Sequence, residues 1–199
     1  MQKILLHDGN TIPGVGFGVF MIPNDGSTYR AVREALEDAQ QAGKIKSIGV
    51  DNMTPKIWQI FVPQFDTVPA VNMVECNPFF QQRELRALLA KDKVVLEAYY
   101  PLGHGNTALL QHPVIVGLAQ KYGKTPGQII LRFEIQEGFV VLPKSTTPAH
   151  MADNIDIFDF ALTDADMDAM RALDTGKGAH DPEEPGCGEW LLQHFKVHD

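Results

Sequence analysis

Lys144, Ser145, Thr146 and Thr147 stand together immediately before Pro148, and of the 199 residues these are the most suggestive of chemistry. Proline suits the first position of a helix, so an ammonium and several hydroxyls gather where a strand gives way to a helix N-terminus. Free backbone N–H groups and the helix dipole favour an anion at such a place. Lys144 adds a point charge, and Ser145 and Thr146 add donors. The same residues also suit a solvated loop with an ordinary N-cap, and composition alone leaves both readings open. Tyr99 and Tyr100 can stack on a flat ring or simply pack. Asn52 can bond an amide or shape a turn. Glu75 beside Cys76 makes a weak catalytic pair, and the seven histidines show no ligand spacing, so no metal is expected.

The elements that must position these residues follow from local signals. Lys3 to Leu6 and Thr11 to Pro13 flank Asp8-Gly9-Asn10 as a hairpin. Val15 to Phe20 suits a short buried strand. Ser27 or Thr28 opens a helix that stops at Gly43. Strands are expected over 46–50, 68–74, 94–99 and 139–142. Helices are expected from Thr54-Pro55, over 81–90 and 114–122, from Thr125 with Gln128 as a capping box, from Thr147-Pro148, and from Thr163 with Asp166 to Leu173. Residues 175–199 read as a tail with one amphipathic piece at Trp190 to Phe195. Alternating strand and helix means parallel strands joined by helical crossovers. With no linker or shift in composition, 1–199 reads as one domain: a hairpin (1–13), β/α repeats (14–174) and the tail. The fold class is α/β, about five parallel strands behind an N-terminal hairpin. Ligands in such folds bind beyond the carboxyl ends of the strands, where Asn52, Glu75, Tyr99 and Lys144 all lie.

Composition narrows the function. A net charge of −8 argues against nucleic acid and anionic membrane surfaces as partners. No run approaches the length of a membrane span. Cys76 and Cys187 are too few for a disulfide framework, and two reduced thiols point to the cytoplasm.

Several stretches, in order along essentially the whole chain, resemble aldo-keto reductases. They are Gly16-Phe17-Gly18-Val19-Phe20, Lys46-Ser47-Ile48-Gly49-Val50, Val71-Asn72 with Glu75 and Pro78, Pro101-Leu102-Gly103, Leu142-Pro143-Lys144-Ser145, 154–160 and Leu173-Asp174-Thr175-Gly176. The resemblance implies a (β/α)₈ barrel of the TIM type that reduces aldehydes and ketones with NADPH. It implies that Lys144 and Ser145, with Thr146 beside them, hold the adenosine 2′-phosphate, and that His150, Asp153 and Asn154 flank the adenosine. It makes Tyr99 the aromatic under the nicotinamide and Asn52 one half of a carboxamide grip. Pro101, Leu102 and Gly103 would line the pyrophosphate path. Asp51 stands where the family usually has Ser, and Met73 where it has Gln, so the carboxamide grip is weakened.

The largest departure is an absence. Ala31 to Leu36 resembles the family's first barrel helix, whereas Asp38 to Lys44 resembles the helix before its fifth strand. Three strands are missing between them, and with them the segment carrying the catalytic Asp, Tyr, Lys and His. None of Tyr29, Tyr99, Tyr100 and Tyr122 inherits the proton-donor role, so no catalytic residue is assigned. The expectation is an incomplete barrel, open or completed by self-association through its edges. It would be an oxidoreductase by descent with impaired or no turnover, and the alternatives are a non-catalytic NADPH-binding or interaction remnant, or a deletion product.

Overall fold

The computed structural model describes residues 3–5, 11–13, 37–64 and 66–179. The expected strand at Val15 to Phe20, most of the first helix and the Trp190 to Phe195 piece lie outside the described residues. The hairpin is present: β1 (Lys3–Leu5) pairs antiparallel with β2 (Thr11–Pro13), Ile4 opposite Ile12.

Four strands make one parallel sheet in the order β3 (Gly49–Asp51), β4 (Val71–Glu75), β5 (Val95–Tyr99), β6 (Val140–Leu142). Chain order equals spatial order, as successive β/α units require. Among the described residues the sheet does not close on itself, and β3 and β6 are its outermost strands. This is the incomplete barrel expected, with four parallel strands among the described residues.

The helices form where their caps dictate. In α1 (Pro55–Phe61) the Thr54 side chain accepts from the Ile57 N–H. α2 spans Arg83–Asp92, α3 Thr107–Leu110 and α4 Pro113–Tyr122. α5 (Pro126–Gln136) starts on the reciprocal Thr125–Gln128 capping box, and α7 (Asp164–Arg171) on the Thr163–Asp166 box. Between them lies α6 (Pro148–Ile155).

Several boundaries differ from expectation. β3 and β4 pair one to three residues later than hydrophobicity suggests. α2 begins at Arg83, because buried Gln81 commits its amide to the carbonyls of Pro78 and Met170 and Gln82 turns left-handed at φ 54°. α7 ends at Arg171. The single turn of α3, capped by Asn106, is an element beyond those expected.

Strand alternation sorts the sheet into two faces. Val50, Val74, Leu96, Ala98 and Val141 join one core with Trp58, Leu85 and Leu89 from α1 and α2. A second core unites α4, α5 and α7 through Ile115, Ile130, Phe133 and Met170. The opposite face carries Gly49, Asp51, Val71, Met73, Val95, Glu97, Val140 and Leu142, none of them buried. An open sheet of this kind could carry helices on both faces. The described helices instead pack on a single side, and the face that none of them covers is the surface that a closed barrel would turn inward.

Candidate functional site at the strand ends

Parallel pairing brings the carboxyl ends of all four strands to one edge. After β3, Asn52 is left-handed (φ 51°). Two contacts fix it there: its N–H donates to the Met73 carbonyl at 2.8 Å, and the next residue is pinned by Asn72. The Asn72 side chain is fully buried, donating to the Met53 carbonyl at 2.9 Å and accepting from the Met53 N–H. In the sequence Asn72 stands out only as part of a motif. Its positioning role depends on a loop nineteen residues away, which no local pattern reveals.

After β5, Tyr99 reaches across β4 and donates its hydroxyl to Asn52 Oδ1 at 2.8 Å, while Asn52 Nδ2 donates to Asp51 Oδ2 at 3.2 Å. The Asn52 amide is thus occupied by its neighbours on both sides. Burial, followed by the nearby Glu75 charge, pushes the Tyr99 phenol up to about 12. A proton donor for carbonyl reduction at neutral pH needs the opposite shift. Tyr100 (φ 53°) meets Tyr99 edge-on and stacks at a tilt against His104.

The chain then turns through Pro101, Leu102 and Gly103. Pro101 is buried and Leu102 packs into the second core. Gly103 is left-handed at φ 64°.

After β6, Lys144 and Thr146 are exposed and Ser145 is half-buried. Ser145 Oγ accepts from the Thr147 N–H at 3.1 Å, which shapes the entry to α6. Thr147 makes no side-chain cap bond, so the first turn of α6 keeps N–H groups for another acceptor. His150 is exposed on that helix, and Asp153 and Asn154 are half-buried one turn on. The structure joins Asn52 and Tyr99 directly. It places Lys144 to Thr146 at the neighbouring strand end, and sets His150, Asp153 and Asn154 along α6.

Glu75, weak as half of a catalytic pair in the sequence and better read there as a buried or paired carboxylate, is buried and serves as an anchor. Its carboxylate accepts from the Ala179 N–H, 2.9 Å to each oxygen, and from Asn77 Nδ2 at 3.4 Å. A tyrosine beside a lysine does occur, but elsewhere. Lys121, Tyr122 and Thr163 all donate to Asp166, joining α4 to the cap of α7 in the outer helical layer. Burial acts to raise the Asp166 carboxyl, but these hydrogen bonds outweigh it and hold the group well below the usual range. Among the described residues no His, Cys, Asp and Glu group is arranged to hold a metal, and no helix is long and apolar enough to cross a membrane.

Residues 19–175 match the model of the aldo/keto reductase family. The chain belongs to that family. An aldo-keto reductase of Mycolicibacterium smegmatis is 42% identical over 144 residues, which are 72% of this chain and 52% of that protein. Methylglyoxal reductase DkgA of Escherichia coli K12 is 39% identical over 159 residues, 79% of this chain and 58% of that one. Among solved structures, a Bombyx mori aldo-keto reductase in complex with NADP superposes with a TM-score of 0.72 at 32% identity, covering 80% of this chain and 54% of that one. This aldo-keto reductase chain therefore spans little more than half the length of the relatives it matches.

Proposed function

We propose that this aldo-keto reductase chain binds NADPH chiefly by its phosphates and reduces carbonyl compounds slowly or not at all. The observation that carries this reading is the state of Tyr99. This tyrosine reaches across the strand ends, its hydroxyl is committed to Asn52, and its pKa is raised rather than lowered. The family resemblance places the catalytic Asp, Tyr, Lys and His in a segment absent between Leu36 and Asp38.

The binding half rests on the β6–α6 junction. Lys144 supplies charge, and Ser145, Thr146 and the uncapped first turn of α6 supply donors suited to a phosphate. His150, Asp153 and Asn154 line the same helix for the adenosine end. The nicotinamide end fits less well. Asn52 is engaged by Tyr99 and Asp51, and Met73 offers no hydrogen bond where an amide would serve. Tyr99 can still present its ring for stacking, and the backbone of Pro101 to Gly103 lies on the path between the two ends. When bound, NADPH supplies a hydride; this chain's own contribution is to hold the phosphates and orient the ring. The substrate class under this reading is small aldehydes and ketones, with methylglyoxal a reasonable probe given DkgA.

Cytoplasmic location belongs to the same reading, supported by buried, free Cys76. So does self-association through the edges of β3 and β6, unpaired among the described residues. The test is a fluorescence titration with NADPH on the parent and on Lys144→Ala. Saturable binding, weakened about tenfold or more by the loss of one charge-assisted contact, is expected. No saturable signal, or equal affinity in the two proteins, would refute the phosphate grip.

A further inference from the structure

Two carboxylates bracket the Tyr99 ring. Glu75 and Tyr99 are paired residues on the neighbouring parallel strands β4 and β5, so their side chains leave the sheet on the same side. Tyr99 then leans over β4, whose last residue is Glu75, and its hydroxyl donates to Asn52 Oδ1 at 2.8 Å. Asn52 Nδ2 donates in turn to Asp51 Oδ2 at 3.2 Å. One carboxylate therefore stands beside the root of the ring, and the other beyond its hydroxyl.

The two act with different strength. Glu75 is 5% exposed and held by the Ala179 N–H, 2.9 Å to each oxygen, so water and salt screen it poorly. Asp51 is exposed and better screened. Lys144, at another strand end, belongs with the phosphates in the proposed reading. The Tyr99 phenol registers the sign of the local field. Burial is the largest cause of its rise to about 12, and the Glu75 and Asp51 charges push the same way. Charges that oppose a phenolate favour a cation in the same place. Burial opposes either sign of charge, so a preference for a cation comes from the carboxylates, and the π-face of the tyrosine adds to it.

We infer that Glu75 and Asp51 make this site select the oxidised, positively charged form of the cofactor, NADP+, over NADPH. The inference rests on the proposed reading, in which the nicotinamide stacks on Tyr99. The reduced ring is neutral; loss of a hydride, one proton with two electrons, leaves it with a positive charge. An opposite charge within about 4–6 Å displaces an ionisation by about one to three pKa units, which is a factor of about ten or more between the two dissociation constants. Tighter binding of the oxidised form lowers the potential of the bound couple by about 30 mV for each tenfold. Spent cofactor is then held longer than fresh, in keeping with slow or absent turnover.

Calorimetric titration of the full chain with three ligands tests this: NADPH, NADP+ and adenosine 2′,5′-bisphosphate, which carries phosphates without a nicotinamide. NADP+ should bind at least about tenfold more tightly than NADPH. Glu75→Gln keeps an acceptor for Ala179, and Asp51→Asn changes an exposed side chain. Each should narrow the ratio, Glu75→Gln by more, while affinity for the bisphosphate stays that of the parent. Equal affinity for the two redox forms, or a ratio unchanged in both variants, would overturn the inference, and bisphosphate binding would still uphold the phosphate grip. Binding of none of the three would refute the grip and this inference together.

Discussion

Replacing Glu134 by Met should stabilise this protein, and by more as the pH rises. Glu134 lies on α5 with 0% exposure, and neither carboxyl oxygen has a hydrogen-bond partner among the described residues. Burial pushes its pKa well above the ordinary 4.5. Below the unfolded-state pKa both states hold the proton, and the group adds no pH dependence. As the pH rises past that value the unfolded chain ionises while the folded chain keeps its proton, so stability falls until the folded pKa is passed. The slope in that window approaches about 1.4 kcal/mol per pH unit. A buried carboxyl without a partner carries a desolvation cost of about 1–3 kcal/mol even when neutral. Methionine keeps the volume and removes both terms. Urea unfolding of parent and Glu134→Met at pH 5 and pH 8 measures the difference. The variant should be more stable by about 1–3 kcal/mol at pH 5, and its advantage should widen at pH 8. A difference that is flat with pH, or a variant weaker at both, would show that Glu134 has a partner or is ionised in the fold.

Further outcomes follow from the caps and the outer layer. Thr125→Ala removes the capping box of α5 and should cost about 1 kcal/mol, read as a lower urea midpoint with an unchanged m-value. Asp166→Asn should cost about 1–3 kcal/mol at neutral pH, because it weakens the bonds from Lys121, Tyr122 and Thr163. The Asp166 carboxyl is depressed in the fold, so its stabilisation is present above the unfolded pKa near 3.8 and lost as the pH falls through the folded value. Acid unfolding should accordingly lose part of its pH dependence in this variant. Gly178→Ala should unseat Ala179 from Glu75, and exchange of the Ala179 amide should report the loss.

Much of the architecture was legible because its signals are local. The Thr54-Pro55, Thr125–Gln128 and Thr163–Asp166 starts each bring cap and proline or box into four residues, and each helix begins there. Alternation of strand and helix implied the parallel sheet, and the expected ligand-facing residues fall at one edge of it. Long-range pairings were hidden. Gln81 shifts the start of α2 through a bond to Met170, eighty-nine residues later. Glu75 is claimed by Ala179, 104 residues later. Glu134 looks in the sequence like any helical surface residue, because nothing near it shows that this turn of α5 faces the core. The family resemblance gives Asn52 and Tyr99 separate roles, and their mutual hydrogen bond depends on both residues leaning over the same strand.

The most direct measurement is NADPH consumption at 340 nm by the full chain with saturating methylglyoxal, under conditions where the nucleotide is bound. On the proposed reading, with the Tyr99 hydroxyl committed to Asn52 and its pKa raised to about 12, the rate should stay close to that of buffer alone. A steady rate proportional to protein concentration, abolished by Tyr99→Phe, would contradict it and return Tyr99 to the role of acid.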